Sequence, residues 1–513
     1  MTASPAGVVR AIVADATTLT IHGECSLPDL TTLGVFFLEP YAAAPERLSQ
    51  PPALLAAVEQ VDGAFSLTIN RFHGGRDRLY AQFVITPVDA PAAPFDGICY
   101  VTDVSALGAA DYPYPTAATI KGLQVHMVGD ALALGVGHAA LNLNQGNIAR
   151  AAPDASTVTY LLDGEAYYFD ERVLQAFDRE VKALSDHGIV VTLILLNSQK
   201  WAGIELQPEL RDTLLHPAYD PEGFISQFNV VTAPGLAHYR AFVEFVAERY
   251  TRPDQQYGRA CGFIIGNEVD AGWVWCNAGE QPLEEYVRQH AIALRTAFYA
   301  ARKQYAQARV YLSLTHYWAV SHLDNPLRTY QGREVVEALN ARCQQEGDFD
   351  WSIAYHPYPQ DLFHADFWRD TDALDSLDTP RITFRNLQIL AQYFAQPYLL
   401  YDGKMRRIIL SEQGFHSDET EEGEQIQAAA YAFAYWKVLN TPGIESFILH
   451  AHVDNRDEFD LNLGIRRRDK SDASANAPGE PKPVYVICRD IDGPRQAEIF
   501  AWAQSIVGDE SWR

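Results

Sequence analysis

Gly262-Phe263-Ile264-Ile265-Gly266-Asn267-Glu268 and Arg407-Ile408-Ile409-Leu410-Ser411-Glu412-Gln413-Gly414-Phe415 share one design: a short apolar run that ends in an acid. A strand buried on both faces reads as a continuous apolar run, and this is how the strands of a parallel sheet covered by helices read. A carboxyl placed directly after such a run stands where burial is otherwise expected.

Six further runs of the same kind surround these two. Together the eight predicted strands are Gly122 to Met127, His138 to Leu143, Ile189 to Leu196, Cys261 to Gly266, Val310 to Leu314, Trp351 to Tyr355, Arg407 to Ser411 and Ile444 to Leu449. Amphipathic segments lie between them: Val173, Phe177, Val181 and Leu184 line one helix face, and Val287, Ala291, Leu294 and Phe298 line another. The first helix, near Asp130 to Val136, is short, and Pro494 to Val507 closes the chain. Eight alternating strand and helix units predict an α/β fold, a (β/α)8 TIM barrel over residues 116–513. The polar stretch Asp469 to Pro483 reads as a surface loop.

Residues 1 to about 115 have a different period. Ala11 to Ala14, Leu19 to Ile21, Leu33 to Leu38, Phe65 to Ile69, Leu79 to Ile85 and Ile98 to Thr102 are short apolar runs, and Phe65-Ser66-Leu67-Thr68-Ile69 alternates with the two-residue period of a strand. An N-terminal β-sandwich domain is expected there, with Pro87 to Asp96 and Tyr112-Pro113-Tyr114-Pro115 as connectors.

The composition fits a large folded protein: of 513 residues, 48% are apolar and 21% charged. Asp and Glu number 66 against 40 Lys and Arg, a formal charge of -26, so phosphate backbones and anionic lipid surfaces are repelled. Neither nucleic acid nor membrane is expected as a partner. Met1 to Arg10 lacks the basic and apolar regions of a signal peptide, which suggests a cytoplasmic protein. The six cysteines include no CxxC and read as buried thiols. No P-loop, GxGxxG turn or GxSxG elbow is present, so no nucleotide-dependent or serine-hydrolase chemistry is expected, and no cofactor.

Barrel enzymes carry their chemistry at the C-terminal ends of the strands. Glu268 and Glu412 occupy the ends of the fourth and seventh, and paired carboxyls suit cleavage of a glycosidic bond: one protonates the leaving oxygen while the other meets the anomeric carbon. In this respect the barrel resembles clan A of the glycoside hydrolases, the four-seven superfamily, to which Asn267-Glu268 and Glu412 correspond. The resemblance implies a retaining enzyme with Glu268 as acid/base, Glu412 as nucleophile and Asn267 as donor to the hydroxyl beside the anomeric carbon. Tyr355-His356-Pro357-Tyr358-Pro359 resembles the His-x-Tyr feature of several families in the clan, which implies that the Tyr358 hydroxyl touches the nucleophile.

The chain departs from the better-known members at strand eight, where His450-Ala451-His452-Val453-Asp454-Asn455 replaces a sugar-stacking Trp, and no Arg ends strand two. Other candidates for sugar contact are Asn142, Asn197, His316, His450 and His452. Trp201, Trp273, Trp275, Tyr317 and Trp318 fall in loops after strands three to five, where aromatic faces stack on sugar rings. Two alternatives stay open: a non-catalytic carbohydrate-binding barrel, and a metal-dependent hydrolase using His450, His452 and Asp454.

Overall fold

The computed structural model describes residues 7–25, 32–41, 54–57, 60–88, 94–201, 203–508 and 512. Its centre is a closed barrel of eight parallel strands: β1 (Lys121–Gln124), β2 (His138–Asn144), β3 (Val190–Leu196), β4 (Ala260–Ile265), β5 (Arg309–Leu314), β6 (Trp351–Tyr355), β7 (Ile408–Leu410) and β8 (Ile444–Leu449). All eight were legible as apolar runs, with boundaries shifted by three residues at most. The ring closes where β1 pairs with β8, Gly122 opposite Ile448. A side chain at Gly122 would meet Ile448 Cγ1 at 2.7 Å, so the seam requires glycine.

Helices wrap the barrel in order: α1 (Val128–Leu134), α2 (Glu171–Ser185), α3 (Ala233–Tyr250), α4 (Leu283–Gln304), α5 (Gly332–Glu346), α6 (Gln388–Phe394), α7 (Glu421–Leu439), α8 (Pro483–Asp490) and α9 (Gln496–Val507). The strands are therefore covered on both faces, and every residue of β3 is buried. Their period of two sorts the core. Ala140, Ile194, Leu196, Ile264, Tyr311, Ala354, Ile409 and Ile448 point inward and form a separate cluster along the axis. Counting two onward from these places Asn142, Ser313, His356, Ser411 and His450 on the inner side of the mouth, where Gln124 at the end of β1 joins them by bonding to His450.

The N-terminal region forms a five-stranded sheet, in order 96–97, 7–14, 18–25, 64–70, 60–61, and a three-stranded sheet, in order 54–57, 32–38, 82–87. Two expected strands differ. Leu79 begins not a strand but a helical turn, Arg78–Tyr80, capped by Asp77; the strand itself is Gln82–Pro87. Ile98 to Thr102 joins no ladder, because the amides of Cys99 and Tyr100 both donate to the Glu346 carbonyl at the end of α5. Residues 89–93 of the expected connector lie outside the described ones. The region rests on the barrel's flank: Tyr112 stacks on Tyr305 at 4.1 Å, Tyr299 Oη donates to the Val101 carbonyl at 2.6 Å, and the Arg240 guanidinium lies 4.1 Å above Tyr80.

The stretch Asp469 to Pro483 is not loop throughout, since Pro478–Pro481 pairs antiparallel with Arg466–Arg468. Cys25, Cys261, Cys276, Cys343 and Cys488 are buried, as expected, whereas Cys99 is only partly buried. Among the described residues, no helix is long and apolar enough to cross a membrane.

Candidate active site

Glu268 is aimed by the backbone. Gly266 takes a φ of 76°, which requires glycine, and Glu268 itself adopts a left-handed conformation with φ 41°. A left-handed glutamate costs on the order of 1–3 kcal/mol, a cost tolerated chiefly where surrounding structure enforces it for function. Here the Glu268 amide donates to Ser313 Oγ on β5 at 2.9 Å. Two residues on, Asp270 is fully buried and accepts from the amide and hydroxyl of Thr315, locking the loop after β4 to the end of β5. Burial pushes Asp270 up to about 7, with Glu268 adding to the rise.

Glu412 leaves β7 half-buried and is held from two sides. Tyr358 Oη donates to its Oε1 at 3.1 Å, and Gln124 Nε2 from β1 donates to its Oε2 at 3.0 Å. His356 sits between the acids, with Nδ1 3.0 Å from Glu268 Oε1 and Nε2 3.0 Å from Ser411 Oγ. Burial alone would raise the Glu412 carboxyl, but His356, His450 and the two donors outweigh it and hold it below the usual carboxylate range. Burial likewise opposes charge on His356, yet Glu412 and Glu268 raise it above the ordinary histidine value.

His450 completes the charge arrangement. Gln124 presents its amide nitrogen to Glu412, so its Oε1 faces His450 Nδ1, at 2.8 Å. The other ring nitrogen, Nε2, meets the Glu458 carboxylate. Both nitrogens thus face acceptors, which only an imidazolium satisfies. Burial works against this, but Glu458, then Glu412, raise His450 to about 9. A cation therefore stands one amide away from Glu412.

The fold thus gathers Glu268, Glu412, His356, Tyr358 and His450, with Asn267 half-buried beside Glu268 and Asn142 exposed on the mouth at the end of β2. Other expected contacts are turned away. Asn197 is fully buried, its amide donating to the Leu214 carbonyl, because the inward face at that turn belongs to Leu196 and Ser198. Trp318 is fully buried against Tyr393, with its indole nitrogen on the Leu377 carbonyl. Trp273 is buried under the Arg328 guanidinium, 3.8 Å from its ring. His452 is bonded to Asp130, which also pairs with Arg466 and Tyr485. His316 is buried between Arg381 and Tyr317, and burial, then Arg381, lower it to about 3. Trp201 belongs to a two-residue ribbon with Ile204, and its side chain lies outside the described residues.

Sequence reading missed Gln124, Ser313, Ser411 and Glu458. The first three carry a signal: each is the lone polar residue at or near the end of an apolar strand. Glu458 carries none.

The strand-eight trio does not converge as a metal set. His450 pairs with Glu458, His452 with Asp130, and Asp454 with the buried Lys482 at 2.7 Å. One donor atom each from Glu268, His356 and Glu412 do lie within 4.8 Å of one another. Both His356 nitrogens are already bonded, to Glu268 and Ser411, so that set offers a cation two carboxylates and no free imidazole.

Solved structures similar in fold are glycoside hydrolases. They include a hyperthermophilic β-glucosidase from Pyrococcus furiosus (14% identity, 74% of this chain, 86% of that one, TM-score 0.45), a family 39 glycoside hydrolase from Bacteroides cellulosilyticus WH2 (12%, 95%, 82%, 0.43) and a family 1 β-glucosidase from Thermotoga maritima (10%, 73%, 85%, 0.43). No curated protein matches in sequence. A family described as "Family of unknown function (DUF5722)" matches residues 113–513, which is the whole barrel with the segment leading into it, and the chain belongs to that family.

Proposed function

We propose that this protein is a retaining glycoside hydrolase acting on carbohydrate, with Glu412 as nucleophile and Glu268 as acid/base. The observation that carries the proposal is the spacing of the acids: an oxygen of Glu268 and an oxygen of Glu412 approach within 4.8 Å. This nearest approach of single oxygens places both acids in one pocket and is compatible with the carboxyl separation of about 5–5.5 Å found in retaining enzymes. Donors and cations around Glu412 favour its ionised form, as attack on the anomeric carbon requires. A binding barrel without catalysis gives no reason for a left-handed glutamate facing an ionised one. Proton NMR of the first-formed product is expected to show the substrate's anomeric configuration; an inverted product would remove the nucleophile role of Glu412.

The same electrostatics predict a pH effect. Tyr358 and His450 both lower the pKa of Glu412, so removing either raises it, and more alkaline solution is then needed to ionise the nucleophile. Tyr358→Phe and His450→Gln are each expected to move the acidic limb of the kcat/KM profile to higher pH, with maximal rates down about 10- to 100-fold and melting temperature little changed. An unmoved limb would count against the assignment.

The N-terminal sheets serve as a buttress in this reading. Among the described residues, their contacts with the barrel run to α3, α4 and α5 on its flank.

A further inference from the structure

Three aromatic rings from three loops meet over the barrel mouth. Phe224 follows β3, Trp275 follows β4, and Phe459 follows β8. Phe224 stacks on Trp275 at 4.9 Å, and Phe459 meets them edge-on at 5.6 and 6.1 Å. In an eight-stranded ring β4 and β8 are diametrically opposed, so this contact is a chord across the mouth. Trp275 packs below on the inward cluster of the barrel, yet Phe224 and Phe459 remain 51% and 54% exposed. The two phenylalanines pack on Trp275 and on each other, yet each leaves about half of its surface open at the mouth.

The chord is also rigid. Glu458, beside Phe459, is paired with His450, and Leu461 and Leu463 pack with Tyr358 and Ala451. Phe459 and Asp460 both hold positive φ, 52° and 60°, a strained turn that fixes the ring's direction. One loop thus bonds the group next to Glu412 at one end and crosses the mouth at the other.

The catalytic groups lie against one end of the chord: Glu458, next to Phe459, bonds His450, which shares Gln124 with Glu412. We propose that Phe224, Trp275 and Phe459 close the catalytic cleft at one end, so that it takes the terminal sugar of a chain and not an internal one. Resting on the glycosidase reading above, this makes the enzyme exo-acting, releasing monosaccharides, with the exposed ring faces stacking against the bound sugar.

The test uses the full chain and two readouts. First, tri- to hexasaccharides in the gluco, galacto, manno and xylo series are digested and the products sized. The wild type is expected to release monosaccharide alone, and Phe459→Ala and Trp275→Ala to release longer fragments as well. Second, calorimetry on Glu412→Ala compares the gluco, galacto and manno oligosaccharides with the same chains blocked at the non-reducing end by a 4,6-benzylidene group. Blocked chains are expected to bind at least about tenfold more weakly to Glu412→Ala, and to regain affinity when Phe459→Ala is added. Internal cleavage by the wild type, equal binding of blocked and free chains, or no binding of any chain would each overturn the proposal. If no chain is cleaved but binding still separates blocked from free ends, the hydrolase reading fails and the closed cleft stands.

Discussion

Replacing Glu412 by alanine is expected to lower turnover by a factor on the order of 10⁴ or more while leaving the fold intact. The residue sits at the mouth, half-buried, and its loss exposes Tyr358 Oη and Gln124 Nε2 to water that can satisfy them. No cavity opens in the core, so the melting temperature should stay within a few degrees. Added azide fits the vacated space and attacks the anomeric carbon of an activated aryl glycoside directly. This is a single displacement, and the glycosyl azide should carry inverted configuration. Near-native rates in the alanine variant, on any good substrate, would end the nucleophile assignment.

Glu268→Gln is expected to behave oppositely in two respects. Glutamine keeps an acceptor for His356 Nδ1 but has no proton to give, so substrates with poor leaving groups should slow about 10²- to 10⁴-fold while dinitrophenyl glycosides form the glycosyl-enzyme almost normally. That intermediate should then accumulate, because the base that activates water is gone. Azide, which needs no base, should release it with retained configuration. The two variants therefore yield azides of opposite anomeric form, a signature that a merely structural role for either acid would not produce. Equal losses on poor and activated substrates would remove the acid/base role.

Much of this arrangement was legible in residue order, for a physical reason. A strand covered on both faces must be apolar throughout, so the eight barrel strands announce themselves, and a polar residue ending one is an anomaly that marks the mouth. Glu268 and Glu412 were found in this way, whereas His356 and Tyr358 came from the resemblance of Tyr355-His356-Pro357-Tyr358-Pro359 to the His-x-Tyr feature. The rule failed where the strand end was misjudged: β1 stops at Gln124 and not Met127, and Gln124 is the residue bonded to Glu412. It failed again for aromatic residues. Position after a strand does not say which way a side chain turns, and Trp273 and Trp318 turned into the core while Trp275 turned toward the axis.

The sequence by itself determined the barrel, its strand order and the two strand ends that carry acids, because these depend on local patterns of burial. Only the tertiary structure decided the charge of the site. The His450 cation depends on Glu458 eight residues away and on Gln124 more than three hundred residues back, brought together by closure of β1 against β8. The chord of Phe224, Trp275 and Phe459 likewise joins loops from opposite sides of the ring. Contacts between strands far apart in the chain leave no periodic trace in it, since each partner is constrained by the other and not by its own neighbours.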